Sequence, residues 1–171
     1  MKTPAQQLTR RIRMLLVAFM VLLIVSGLTA FPVQTELNFL ANHFNWFPLF
    51  MQSWLLKVNE AVNATAAKYP FLIYGYDWLA YAHIVIALFF VGVYRDPVRN
   101  AWVLRTGMLA CAGIFVLAFT VAGIRGIPLF WSFIDCSFGF FGIIPLIIIH
   151  RWIAQLEKLQ QQEFNQTHHT L

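Results

Sequence analysis

Four stretches of the chain are almost continuously apolar, and each is bounded by basic residues, interfacial aromatics or proline. The first, residues 14–31, starts directly after Arg13 and reads MLLVAFMVLLIVSGLTAF without a charge. Crossing ~30 Å of hydrocarbon at 1.5 Å rise takes about 20 residues, so this run is just long enough. The second, residues 78–94, lies between Trp78 and Tyr94 and stops at Arg95-Asp96-Pro97, where proline bars continuation of the helix. The third covers 102–124, with Arg105 placed to snorkel to the same surface. Gly123-Ile124-Arg125-Gly126-Ile127-Pro128 then reads as a tight turn into the fourth, residues 129–150. Pro145 predicts a kink near 141–145, tolerated because neighbouring helices re-satisfy the freed carbonyl.

Residues 32–77 separate the first two runs, too many for a turn and few for a domain. Phe47, Phe50, Trp54, Leu55, Val58, Ala61, Val62 and Thr65 recur there at mostly three- and four-residue steps, which predicts one apolar helical stripe. Gln52, Lys57, Asn59, Glu60 and Asn63 fall on the opposite face, Pro70 is expected to end the helix, and Gln34 to Phe44 reads as a shorter one. Such a helix belongs on the bilayer surface or over the bundle. After Ile153 the chain turns polar and Gln-rich, which predicts a short helix and then a frayed end. Small residues (Gly107 to Gly113, and Ser137, Gly139 and Gly142) predict close packing of the third and fourth runs. Phe89, Phe90, Phe133, Phe138, Phe140 and Phe141 are expected to face lipid or a protein partner. The expected fold is therefore all-α: one membrane domain over 1–171, a polytopic transmembrane four-helix bundle. Between its first and second spans lies an extracytoplasmic amphipathic helical cap (32–77), and a cytoplasmic tail follows (152–171).

Composition strengthens this reading. Sixty per cent of the residues are hydrophobic and 11% charged, where a soluble domain carries roughly 25% charged residues. The net charge of +5 raises nucleic acid as a partner, but the positions argue against it. Lys2, Arg10, Arg11, Arg13, Arg95, Arg99, Arg105, Arg151 and Lys158 flank the apolar runs on one side; only Lys57, Lys68 and Arg125 fall on the other. Lysine and arginine bias in short loops sets orientation, so both termini are expected in the cytoplasm and the protein in an inner (plasma) membrane. Membrane lipids and possible protein partners within the membrane follow; nucleic acid does not. The first run also resembles a cleaved signal peptide, with a basic start and Leu28-Thr29-Ala30 at its end. Its apolar stretch exceeds the 7–15 residues of a signal core, which favours a retained anchor.

Ionisable groups inside apolar runs are costly and often functional. His83 lies five residues inward of Trp78 and Asp135 six residues inward of Leu129, so both should sit ~8 Å below the outer surface. Arg125 lies in the turn directly above that level, Thr120 and Ser132 fall in the same layer, and Asp77 and Tyr81 approach it from the second run. These seven residues form the candidate ligand-binding cluster. Three readings stay open: an Asp135–Arg125 ion pair locking the last hairpin, a ligand or quinone-type site, or proton- or ion-coupled chemistry. Haem is disfavoured, because His83 and His150 lie at opposite depths and His43 could join His83 only if the cap dips inward. No other cofactor and no metal is expected: Cys111 and Cys136 lack a CxxC pair or a neighbouring histidine. Nucleophile elbow, HExxH, P-loop and dinucleotide turn are all missing, so catalytic residues are not identified and an enzyme is not the favoured reading. The expected function is a membrane protein that binds a small ligand or serves in a larger complex. The alternative is a proton-coupled transporter or membrane redox enzyme using the same cluster.

Overall fold

The computed structural model describes residues 3–169, with side chains through Gln166. Lys2 and the side chains of His168 and His169 lie outside that range. Among the described residues all regular structure is helical: α1 (Pro4–Ala30), α2 (Val33–His43), α3 (Leu49–Lys68), α4 (Pro70–Arg95), α5 (Ala101–Ile124) and α6 (Leu129–His169). Four of these, α1, α4, α5 and α6, are long and apolar enough to cross a membrane.

Helix ends depart from the sequence expectation for local reasons. α1 starts ten residues before its apolar run, because Thr3 and Gln6 form a reciprocal capping box. The Gln6 amide donates to Thr3 Oγ1 at 3.2 Å and the Thr3 amide to Gln6 Oε1 at 3.3 Å. Pro70 does not simply stop α3. It opens α4, the position where its missing N–H costs nothing, so α4 begins two turns before Trp78. α6 runs on without a break through Pro145 to His169.

The Cα positions fall into two compact units, Met1–Val21 with Leu88–Leu171, and Leu22–Ala87. In the first unit, buried Ile12 and Leu16 of α1, Phe90 and Val93 of α4, Val103 and Leu104 of α5, and Leu146, Ile149, Ile153 and Leu156 of α6 make the core. Phe90 thus packs inside, whereas Phe89, Phe133, Phe138, Phe140 and Phe141 are exposed as expected. The Phe90 ring meets Phe19 edge-on at 5.1 Å. Its partner on α5 is Gly107, whose missing side chain leaves the notch that Phe90 and Leu146 fill. At the other end of α5 and α6, Ala118, Ala122, Ser132, Cys136 and Gly139 are buried. These small residues let the two backbones approach closely; of the set the sequence pattern predicts, Gly139 is buried at this contact, whereas Ala110, Ala112 and Gly113 are exposed.

Two short strings between helices turn out to be caps. At α4's end the Asn100 side-chain amide donates to the Gly92 and Asp96 carbonyls, both at 3.0 Å, and Asp96 Oδ1 accepts from the Arg99 amide at 3.1 Å. At α5's end Gly126 takes φ 67°, and the Ile127 amide donates back to the Ala122 carbonyl at 2.9 Å. That bond and the left-handed glycine define a Schellman turn.

In the second unit α2 and α3 form a helical hairpin joined by amides. Asn63 Nδ2 donates to Asn38 Oδ1 at 2.9 Å and to Asn59 Oδ1 at 3.0 Å, while Gln34 Nε2 donates to Asn63 Oδ1 at 3.3 Å. Leu55 and Val62 of the predicted stripe are buried, but Phe50 and Ala61 are exposed, and Asn59 and Asn63 turn towards α2. Asn63→Ala should strip partners from three amides and cost about 1 kcal/mol. Faster amide hydrogen exchange across residues 33–43, relative to wild type, is the expected readout.

Candidate functional site

Helix α4 places Tyr74, Asp77, Trp78 and Tyr81 at i, i+3, i+4 and i+7, one stripe of its surface. Within the second unit this stripe and Phe31, the residue after α1, line a cavity of about 250 Å³. Tyr74 meets Trp78 edge-on at 5.9 Å, and Trp78 meets Tyr81 edge-on at 6.3 Å. Asp77 is half-buried and is the lone charged residue of the lining. Four aromatic side chains beside one carboxylate are the residue types that suit an organic cation.

His83 lies further along α4 and does not line this cavity. Its Nδ1–H donates to the Leu79 carbonyl at 2.8 Å, one turn back in the same helix. The histidine backs onto α1 at a close crossing. A Cβ at position 27 would lie 2.6 Å from the Ala80 carbonyl oxygen and 3.0 Å from His83 Cβ, so only glycine fits. His43 repeats the local pattern, with Nδ1 donating to the Phe39 carbonyl at 2.9 Å and the ring stacked on Phe39.

The other four candidates belong to the first unit. Thr120 Oγ1 donates to the Val116 carbonyl at 2.6 Å, a bond inside its own helix. Ser132 is 2% exposed and sits in the small-residue seam with Cys136 and Gly139. The Arg125 amide caps α5 by donating to the Val121 and Ala122 carbonyls, both at 3.1 Å, and its side chain is exposed. Asp135 falls off the Ser132–Cys136–Gly139 stripe and is half-buried. Among the described residues, Asp135 and Arg125 form no ion pair with each other.

Asp77 and Tyr81 therefore share a cavity, while Ser132 and Thr120 are occupied within their own packing and helix. Phe31, Tyr74 and Trp78 also line the cavity and lie outside the seven-residue cluster. The signal was present in the i, i+3, i+4, i+7 spacing, but a tryptophan at a span's edge reads equally as an interfacial anchor. Among the described residues no group of three or more His, Cys, Asp or Glu side chains is arranged to hold a metal ion. Comparison of the chain with protein-family models, with curated proteins and with solved structures finds no match.

Proposed function

We propose that this is a multi-pass protein of the inner (plasma) membrane, a four-span bundle with α2 and α3 as its extracytoplasmic cap. Both termini lie in the cytoplasm, and the protein binds a small ligand at the outer end of α4, alone or as a subunit of a larger complex. Four helices of spanning length and the one-sided distribution of nine of the twelve basic residues support the topology. The binding reading is carried by one observation: Asp77 and Tyr81 line a single cavity with Phe31, Tyr74 and Trp78.

The chemistry of that lining selects a small organic cation, held by ring faces and balanced by Asp77. Choline is a suitable probe, titrated calorimetrically into the full-length protein in maltoside micelles. Asp77→Asn and Trp78→Leu should each weaken choline binding by about tenfold, equivalent to ~1.4 kcal/mol. Equal affinity in wild type and both variants would reject the site. A tag after Leu171 should be reachable only from the cytoplasmic side; labelling from outside intact cells would reverse the topology.

A further inference from the structure

The first unit holds a second cavity, of about 870 Å³, between the start of α1, the end of α4 and the distal part of α6. It opens where a packing stripe changes character. Leu146, Ile149, Ile153 and Leu156 are buried at steps of three and four, and the same stripe continues to Gln160 and Glu163, which line the cavity. The matching stripe on α1 passes from buried Leu16 and Ile12 to Thr9 and Ala5, which also line it. Apolar interlocking thus ends, and polar side chains line an open space.

The lining is graded along α1. Gln6, Arg10 and Arg13 contribute donors at one end; Met14 and Val17, both exposed, contribute an apolar wall at the other. From Gln6 to Val17 this spans ~16 Å along the helix axis, with the apolar part inside the membrane run and the basic part just before it. Arg13 is held in place: its Nε donates to the Tyr94 carbonyl at 3.1 Å, and its guanidinium lies 5.2 Å over the Tyr94 ring. Two guanidiniums against the single carboxylate of Glu163 leave the lining net positive.

We propose that this cavity is a binding site for an anionic phospholipid of the cytoplasmic leaflet. The phosphodiester is held by Arg10 and Arg13, and the upper acyl chain lies along Met14 and Val17. A free phosphate would use the arginines but gain nothing from the apolar wall, so the gradation favours lipid. This reading is independent of the choline-type site on α4.

The test uses the full-length protein in phosphatidylcholine nanodiscs doped with phosphatidylglycerol, with retained lipid measured by native mass spectrometry. Wild type should retain phosphatidylglycerol in preference to phosphatidylcholine. Arg10→Gln should lower that preference by roughly fivefold and Arg10→Gln with Arg13→Gln by roughly thirtyfold. Arg151→Gln, an exposed cytoplasmic-side arginine outside the cavity, should leave it unchanged. Because Arg13 also contacts Tyr94, Arg10→Lys with Arg13→Lys serves as the charge-preserving control and should keep most of the preference. An equal loss in Arg151→Gln would mean diffuse surface attraction and overturn the site. Unchanged retention in Arg10→Gln would overturn it too, and displacement of the lipid by inorganic phosphate alone would make a soluble anion the occupant.

Discussion

Gly139→Leu should unseat α6 from α5 and lower stability by roughly 3 kcal/mol or more. A Cβ at position 139 would lie 2.7 Å from the Cys111 carbonyl oxygen, 3.1 Å from the Phe115 ring and 3.4 Å from Ile114 Cβ. The nearest of these is backbone, which no rotamer change relieves, so the helices themselves must separate. Separation also opens the neighbouring contact at Gly142, where a Cβ would lie 3.2 Å from Cys111 Sγ. In a bilayer, lipid tails are as apolar as the helix surfaces, and close van der Waals contact is what holds helices together. Losing the closest approach therefore removes the main attraction rather than adding a local clash to it. The midpoint of unfolding by sodium dodecyl sulfate in mixed micelles reads this directly, with Gly139→Ala intermediate. Gly113→Leu is the matched control: a Cβ at 113 meets nothing within 4 Å, so it should be nearly neutral. If positions 139 and 113 respond alike, the seam is not what joins α5 to α6.

The spacing of charges and apolar runs makes four helices long and apolar enough to span a membrane legible, because lipid imposes that pattern on any chain that crosses it. Helix ends were less so. Pro70 carries the same residue identity whether it ends α3 or begins α4, and which one happens depends on whether the following residues are helical. Thr3-Pro4-Ala5-Gln6 did contain its capping box in plain sequence, ten residues from any apolar signal that would draw notice to it. The cluster of candidate polar residues was half legible. Depth can be counted from a span's edge, which puts His83, Asp135, Thr120 and Ser132 in one layer, but azimuth around the helix needs the packing partner. Ser132 proves to share a stripe with Cys136 and Gly139 and Asp135 does not, a difference of three positions that depth alone cannot register. The distal α6 stripe is masked in the sequence for another reason. Its Gln-rich composition signals solvent, while the steps from Leu146 to Leu156 and on to Gln160 and Glu163 keep a helix-packing period.

Phe90 is the side chain through which α1, α4 and α5 meet, and its removal gives the second large effect. The residue is 3% exposed; one edge of its ring meets Phe19 at 5.1 Å, and its tip would lie 3.1 Å from a Cβ added to Gly107. In a water-soluble core Phe→Ala costs ~3–5 kcal/mol, part of it the transfer of the ring to water. Here the separated helix keeps its phenylalanine in lipid, so the transfer part largely vanishes and the packing part remains. An edge-to-face pair contributes about 0.5–1.5 kcal/mol, and the void left at Gly107 adds lost dispersion contacts. Phe90→Ala should therefore cost about 2–3 kcal/mol, read as the same detergent-unfolding midpoint. Phe89→Ala, at the neighbouring position that is 63% exposed, should cost well under 1 kcal/mol. Refilling the notch supplies the stronger test. Gly107→Leu alone should destabilise, since its side chain would collide with Phe90 and Leu146; combined with Phe90→Ala it should recover a good part of the loss. A coupling of at least about 1 kcal/mol in this cycle is expected for two groups occupying one space. Strict additivity would show that Phe90 and Gly107 do not share that space.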